Sequence, residues 1–321
     1  MAVFTPEQLA LRRQGVGGSE CAAVFALSPF LSPLELYFDK RGDVTREVEE
    51  SEAMRWGQVL EEPIANEWAE RNAYKIQRQT MRFSKEWPWM FVTMDRRVVS
   101  HPRGPGLVEV KNFSHWTGAR IYTLDDVPAH VRIQVQHGLA VTKYEWATIV
   151  ILVGGNRLLD FEVERDPEAI QMIVEATRQF MERVKQGLPP AVDTKAAEVL
   201  GRAYPKDDGT TRLVTDEGIV RMAGELLEWK AKCKEAEDEW TARKNAMKLL
   251  MGPTTCLKVP GVGEFSWKAG KGTPKTVFDE FRFRKENPEL YANYLVKVPS
   301  GGERVFRDKP EKPAQADDVA A

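Results

Sequence analysis

Cysteine is scarce in this chain. Its three residues, Cys21, Cys233 and Cys256, lie far apart in 321 positions. An odd, scattered set excludes a disulfide framework, a Cys-x-x-Cys zinc pair and a four-cysteine iron–sulfur cluster, and it points to a reduced cytosol. The four histidines, His101, His115, His130 and His137, show no metal-ligand spacing. No apolar run is long enough to span a bilayer, and Met1-Ala-Val-Phe-Thr-Pro-Glu has neither the basic nor the apolar part of a secretory leader. No membrane is expected. Net charge is only −2, which rules out a uniformly basic coat but not a local basic groove beside acidic ligands. The glycine-rich Gly15-Val16-Gly17-Gly18-Ser19 lacks the Gly-Lys-[Ser/Thr] ending of an ATP loop. No internal repeat is visible.

What remains is ordinary globular composition, with 42% hydrophobic and 29% charged residues, in a chain long enough for one large α/β domain and an appendage. Thr5 and Pro6 open a helix to about Gln14, closed by Arg12 and Arg13. Ser19 can cap a short helix from Glu20 to Phe25. Two more helices are expected at 34–40 and 52–73, the second carrying Met54, Trp56, Leu60, Glu61, Ile64 and Trp68, with Pro63 interrupting it. Strands are expected at 75–83, 90–99 and 107–111, then helices at 115–122 and 129–142. Residues 146–153 and 157–163 read as a hairpin around Gly154-Gly155-Asn156. Asp166-Pro167 caps a helix to about Gln186, and Gly187-Leu-Pro-Pro marks a boundary near residue 190.

Beyond it the period changes. Ile219, Met222, Leu226, Trp229, Cys233, Ala236, Trp240, Met247 and Leu250 fall on alternating three- and four-residue steps, broken only by Arg243. Between Thr215 as cap and Gly252-Pro253 as stop, this predicts one helix of about 50 Å. Such spacing implies packing on another helix, in the same chain or a neighbouring one. A hairpin around Pro260-Gly261-Val262-Gly263 and a helix near 274–296 complete a region at 191–307. The Lys/Pro/Glu/Ala-rich tail at 308–321 is expected to be disordered.

The organising stretch is Gly106-Leu-Val-Glu109-Val110-Lys111. As a strand it sets Glu109 and Lys111 on one face, with Val108 and Val110 on the other. Asp95 ends the apolar run before it. An Asp followed by Glu-x-Lys on the next strand is the skeleton of a metal-dependent phosphodiesterase. Two carboxylates hold Mg²⁺ through hard oxygens, and the lysine steadies the attacking water or the charge growing on phosphate.

Order and spacing carry this further. Arg12/Arg13, Gly18-Ser19, Ser28-Pro29-Phe30, Trp56-Gly57-Gln-Val-Leu60-Glu61, Asp95, Glu109-Val110-Lys111 and Gln134-Val-Gln136-His137-Gly-Leu139-Ala140-Val141-Thr142 together resemble the PD-(D/E)xK nuclease superfamily. More narrowly, they resemble the lambda-exonuclease or YqaJ-type viral recombinases, over roughly residues 5 to 190. Two positions depart: the family's usual Asp-Gly is Asp95-Arg96, and a tyrosine often found before Gln134 is Val131. The resemblance implies a restriction-endonuclease-like core at 1–190, with a mixed central sheet flanked by helices and a mainly helical appendage.

It also implies roles. Asp95, Glu109 and the Val110 carbonyl would bind Mg²⁺, with Mn²⁺ as a substitute, and Glu61 would reach a second ion. Lys111 would orient the water, supported by Gln134. Arg12 or Arg13, with Ser19, would receive a 5′-terminal phosphate; matching on the serine favours Arg12, and matching on Arg-x-Gly favours Arg13. Met54 matches an apolar wedge between DNA strands, or else is core. The implied activity is 5′→3′ digestion of one strand of linear double-stranded DNA, leaving 3′ overhangs for a single-strand-annealing protein. A homotrimer is implied, as is a phage or prophage origin in a bacterial host cytoplasm. An endonuclease of the same superfamily and a non-catalytic DNA-binding scaffold are the competing readings. The histidines are then structural or DNA-facing.

Overall fold

Burial of two adjacent strands on both faces sets the layout around the site. The structure, a computed structural model, describes residues 6–44, 51–194, 196–269, 278–295 and 306. It divides into two units, Met1–Pro205 and Lys206–Ala321. In the first, α1 (Pro6–Arg12), β1 (Val16–Gly17), α2 (Gly18–Val24), α3 (Pro33–Arg41) and α4 (Glu52–Arg71) precede five strands. These are β2 (Ile76–Gln77), β3 (Arg82–Phe83), β4 (Met90–Val92), β5 (Arg96–Val98) and β6 (Gly106–Phe113). Next come α5 (His115–Gly118), α6 (Ala129–Thr142), β7 (Trp146–Val153), β8 (Arg157–Glu164), α7 (Pro167–Gln186) and α8 (Ala196–Ala203).

The main sheet has the order β2-β5-β6-β7-β8 and is mixed, because only β6 and β7 run parallel. Alternation splits its apolar side chains between two layers. Leu107, Ala147, Ile149, Ile151 and Val153 join a core with α2, α3, α6 and α7. Val108, Val110, Trp146 and Val150 pack instead on Ile64, Ala65 and Trp68 of α4. Strand β6 approaches Trp146 so closely that a Cβ at Gly106 would lie 2.4 Å from the indole, so only glycine fits there.

The hairpin, α6 and α7 form where the sequence signals place them. The Asp166 carboxylate accepts from the Glu168 and Ala169 N–H groups, and Gly187, at φ 72°, closes α7 in the left-handed conformation. Elsewhere the outcome differs. The stretches 75–83 and 90–99 each break into two short strands serving different sheets. β4 lies between β1 and β3 in a small sheet, whereas β2 and β5 join the main one. Asp95 falls at that switch. The glycine segment is not merely a turn, since Val16-Gly17 pairs in parallel with β4. Ser19 does not cap α2. Gly17 is the N-cap, and the Glu20 carboxylate accepts from its N–H at 2.8 Å. Pro63 sits inside α4 without ending it. The helix expected at 115–122 stops at Gly118, and a 3₁₀ turn at Leu124–Asp126 follows.

The first unit continues past residue 190. Helix α8 buries Val199 beside α3, Arg202 pairs with Glu35 at 2.8 Å, and Tyr204 packs edge-on against Phe38.

The second unit contains α9 (Glu217–Met251), the antiparallel hairpin β9 (Cys256–Val259) and β10 (Gly263–Ser266), α10 (Glu280–Glu286) and α11 (Pro288–Asn293). Asp216, not Thr215, caps α9, by accepting from the Ile219 N–H. The ends of the single helix expected over 274–296 lie outside the described residues; within 278–295 it is split at Asn287-Pro288, since proline disfavours a helical residue before it. Of α9, Met251 alone is buried among the described residues, so its heptad face has no partner within them. The expected Thr5 cap and the tail at 308–321 lie outside the described residues. Among the described residues no helix is long and apolar enough to cross a membrane.

Candidate active site

The ladder between β5 and β6 ends at the Arg96–Val108 pair. Beyond it Val110 has no β5 residue to receive its N–H, and the Asp95 carboxylate fills that role: Oδ2 accepts at 2.7 Å. Glu109, on the other face of β6 from Val110, points towards α6 and is buried. Its Oε1 accepts from Lys111 Nζ at 2.5 Å and from Gln134 Nε2 at 2.6 Å. Gln134 Oε1 accepts in turn from Lys111 Nζ at 3.3 Å. Asp95, Glu109, Lys111 and Gln134 therefore meet around one stretch of β6.

Their electrostatics are coupled. Burial pushes the Asp95 carboxyl well above its usual range, and the neighbouring Glu109 charge adds to this. Burial works to lower Lys111, but the charges of Glu109 and Asp95 outweigh it and raise its pKa, so the ammonium stays protonated at neutral pH. Two adjacent carboxylates in a poorly solvated spot suit a hard divalent cation. Among the described residues, no hydrogen bond engages Asp95 Oδ1 or Glu109 Oε2. That donor set fits Mg²⁺ chemically, although no three His, Cys, Asp or Glu side chains gather in metal-binding geometry among the described residues.

Glu61 approaches the site from α4, near enough for its charge to help raise both Asp95 and Lys111, and register gives it a partner. Arg96 pairs with Val108, so its side chain lies on the α4 face of the sheet. There its Nη1 binds Glu61 Oε1 at 2.7 Å and the Asp95 carbonyl at 2.5 Å. The Arg96 side chain is only 4% exposed. The sequence flagged Arg96 as a departure from pattern; its pairing with Glu61 was not foreseeable, because the two are 35 positions apart.

The glycine segment adjoins the site. A Cβ at Gly18 would lie 3.4 Å from Gln134. Behind it Glu20 is buried between two cations: Arg12 at 2.6 Å and Lys40, whose side chain is fully buried, at 2.7 Å. Burial opposes the Glu20 charge, but Lys40 and Arg12 outweigh it and hold the carboxyl below its ordinary range. Arg12 also lies over the Phe91 ring, 5.1 Å from its centroid. Arg13 turns away, donating from Nε to the Asp39 carbonyl at 3.1 Å. Ser19 is exposed at the start of α2, and Met54 is half-buried in the first turn of α4. Glu20 and Lys40 are the members that sequence reading missed. Glu20 was within reach, because an acidic residue in the first turn of a helix answers its free N–H groups. On the opposite flank, exposed Phe30 meets His130 edge-on at 5.8 Å. Burial and the Lys111 charge lower the His130 pKa.

His137 is fully buried against the Val16 carbonyl, 3.1 Å from Nε2, and burial brings its pKa to about 4. It is structural. Below its ordinary value of 6.5 the unfolded chain takes up a proton that the folded chain refuses until about pH 4. Acid therefore costs stability within that window. Chemical denaturation should show about 2 kcal/mol lost between pH 7 and pH 5 that a His137→Asn variant does not lose. An identical pH dependence in both proteins would refute this.

Three comparisons bear on this arrangement. Residues 7–145 match the YqaJ-like viral recombinase domain, a span that contains every site residue named above. The YqaJ protein of Bacillus subtilis (strain 168) is 30% identical over 246 residues, covering 73% of this chain and 76% of that protein. An alkaline exonuclease (LHK-Exo) from Laribacter hongkongensis is 20% identical, with a TM-score of 0.49, over 57% of this chain and 94% of that one. A phage-related exonuclease from Haemophilus somnus 129PT is 14% identical, with a TM-score of 0.41, over 54% and 96%.

Proposed function

The chain belongs to the YqaJ-like viral recombinase family, and from that premise we propose that it is a divalent-metal-dependent nuclease with a PD-(D/E)xK core. Its substrate is linear double-stranded DNA, one strand of which it digests from the 5′ end. The observation that carries this is the meeting of Asp95, Glu109, Lys111 and Gln134 around β6.

Asp95, Glu109 and the Val110 carbonyl would hold Mg²⁺, or Mn²⁺ in its place. When bound, the ion neutralises charge on the scissile phosphate and makes water more acidic. Lys111 stays protonated, so it serves as a hydrogen-bond donor and fixed positive charge rather than as a base. Gln134 and Glu109 hold its Nζ in position. Glu61, whose Oε1 is paired with Arg96, would reach a second ion through its other carboxylate oxygen.

Arg12, Arg13 and Lys40 stand against Glu20 and Asp39 with one positive charge in excess, which favours an anion there. Together with exposed Ser19, Arg12 is therefore the better candidate for gripping a terminal 5′-phosphate, since Arg13 is turned to α3. An enzyme holding that phosphate cuts only the adjacent bond. Met54 would part the strands. A homotrimer and a single-strand-annealing protein that takes up the 3′ overhangs complete the proposal.

The decisive experiment offers 5′-phosphorylated linear duplex, 5′-hydroxyl linear duplex and a covalently closed duplex circle, each with Mg²⁺ or EDTA. The expected result is Mg²⁺-dependent release of nucleotides from the linear DNAs, fastest with the 5′-phosphate, and an intact circle. Cutting of the circle would instead identify an endonuclease, and digestion in EDTA would remove the metal.

A further inference from the structure

Among the described residues, nothing covers the apolar seam of helix α9. Ile219, Leu226 and Trp240 are 48%, 46% and 61% exposed, and Met222, Trp229 and Leu250 are exposed with them. Cys233, at the centre of the seam, is also exposed. Helices stable alone in water do not carry such a stripe. The seam follows a heptad, with Ile219, Leu226, Cys233, Trp240 and Met247 alternating with Met222, Trp229, Ala236, Arg243 and Leu250.

The flanking charges say what covers it. When two copies of this heptad helix lie parallel and in register, each residue just before Leu226, Cys233 or Trp240 faces the partner residue five further along. Here Glu225 would face Lys230, Lys232 would face Glu237, and Glu239 would face Lys244. Every charged contact is between opposite signs. An antiparallel arrangement matches only two such combinations, Lys230 with Glu237 and Lys232 with Glu239. The single polar seam residue, Arg243, already has an ion-pair partner in Glu239, one turn away.

We propose that α9 pairs with α9 of another copy of this chain, side by side, parallel and in register, through the Ile219–Leu250 seam. This joins copies through a segment outside residues 7–145, linking a protomer of one trimer to a protomer of another, and it stands whether or not the chain is a nuclease. It brings Cys233 against Cys233.

The test uses the full chain with Cys256→Ser, leaving Cys233 as the accessible thiol because Cys21 is buried. Copper–phenanthroline oxidation should give a Cys233-linked dimer at micromolar protein. One variant carries Glu225→Lys, Lys232→Glu and Glu239→Lys; a second carries Lys230→Glu, Glu237→Lys and Lys244→Glu. Either alone places like charges at every contact and should lose about tenfold or more of the cross-link. Mixing the two restores opposite signs and should restore it. Absence of cross-linking in the starting protein overturns the pairing. Equal yield in the single variants overturns the parallel register, because antiparallel helices survive either inversion.

Discussion

Asp95→Asn will abolish digestion of linear duplex while leaving the protein folded. The asparagine carbonyl still accepts from the Val110 N–H, so the strand contact is kept. What disappears is one negative charge of the two that would hold the ion. Losing several kcal/mol of that stabilisation slows cleavage on the order of a thousandfold. Stability should move the other way. Asp95 is a carboxylate whose charge is opposed by burial and by Glu109, so the neutral amide relieves repulsion in the metal-free protein. Thermal unfolding should therefore show an unchanged or higher Tm for the variant. Added Mg²⁺ should raise the Tm of the wild type and not that of the variant. Duplex binding without metal should stay within a few fold. Undiminished digestion would dismiss Asp95 from the site, and so would an equal Mg²⁺ response in both proteins.

Glu20→Ala carries the second large effect, on stability. The substitution strands Lys40, which has no exposed side-chain surface, and Arg12 beside it. Removing one member of a buried ion pair costs about 3–5 kcal/mol, because the remaining charge stays out of water. For a unit of this size the Tm should fall by about 10 °C. The double variant Glu20→Leu/Lys40→Met should recover a good part of that loss, since no unpaired charge at Lys40 remains. Equal losses in the single and double variants would mean that the Glu20 backbone cap, not the charge pair, is the stabilising contact.

How far the sequence could be read depended on how local each signal was. Helix α7 and the β7–β8 hairpin were legible because their determinants, Asp166, Gly187 and the Gly154-Gly155 turn, sit beside the elements they end. The two faces of β6 followed from alternation alone, and with them the meeting of Glu109 and Lys111. Breaks in strand 75–83 and strand 90–99 were hidden, because nothing in their composition records which sheet each half joins. Glu61 was placed beside the acidic pair by analogy; what the sequence hid is its bond to Arg96, 35 positions away and beyond the reach of periodicity. The same applies to Lys40 and Glu20, 20 positions apart. The α9 cap moved by one residue, from Thr215 to Asp216, because both side chains can accept an N–H and only geometry chooses between them.

Where β5 falls short, Asp95 takes the place of a missing rung on β6. A side chain already pinned by a backbone hydrogen bond has little rotational freedom left to surrender when a ligand arrives. A cation meeting this carboxylate would encounter a cradle assembled during folding, so entropy would take a smaller share of its binding free energy than at a flexible surface acid.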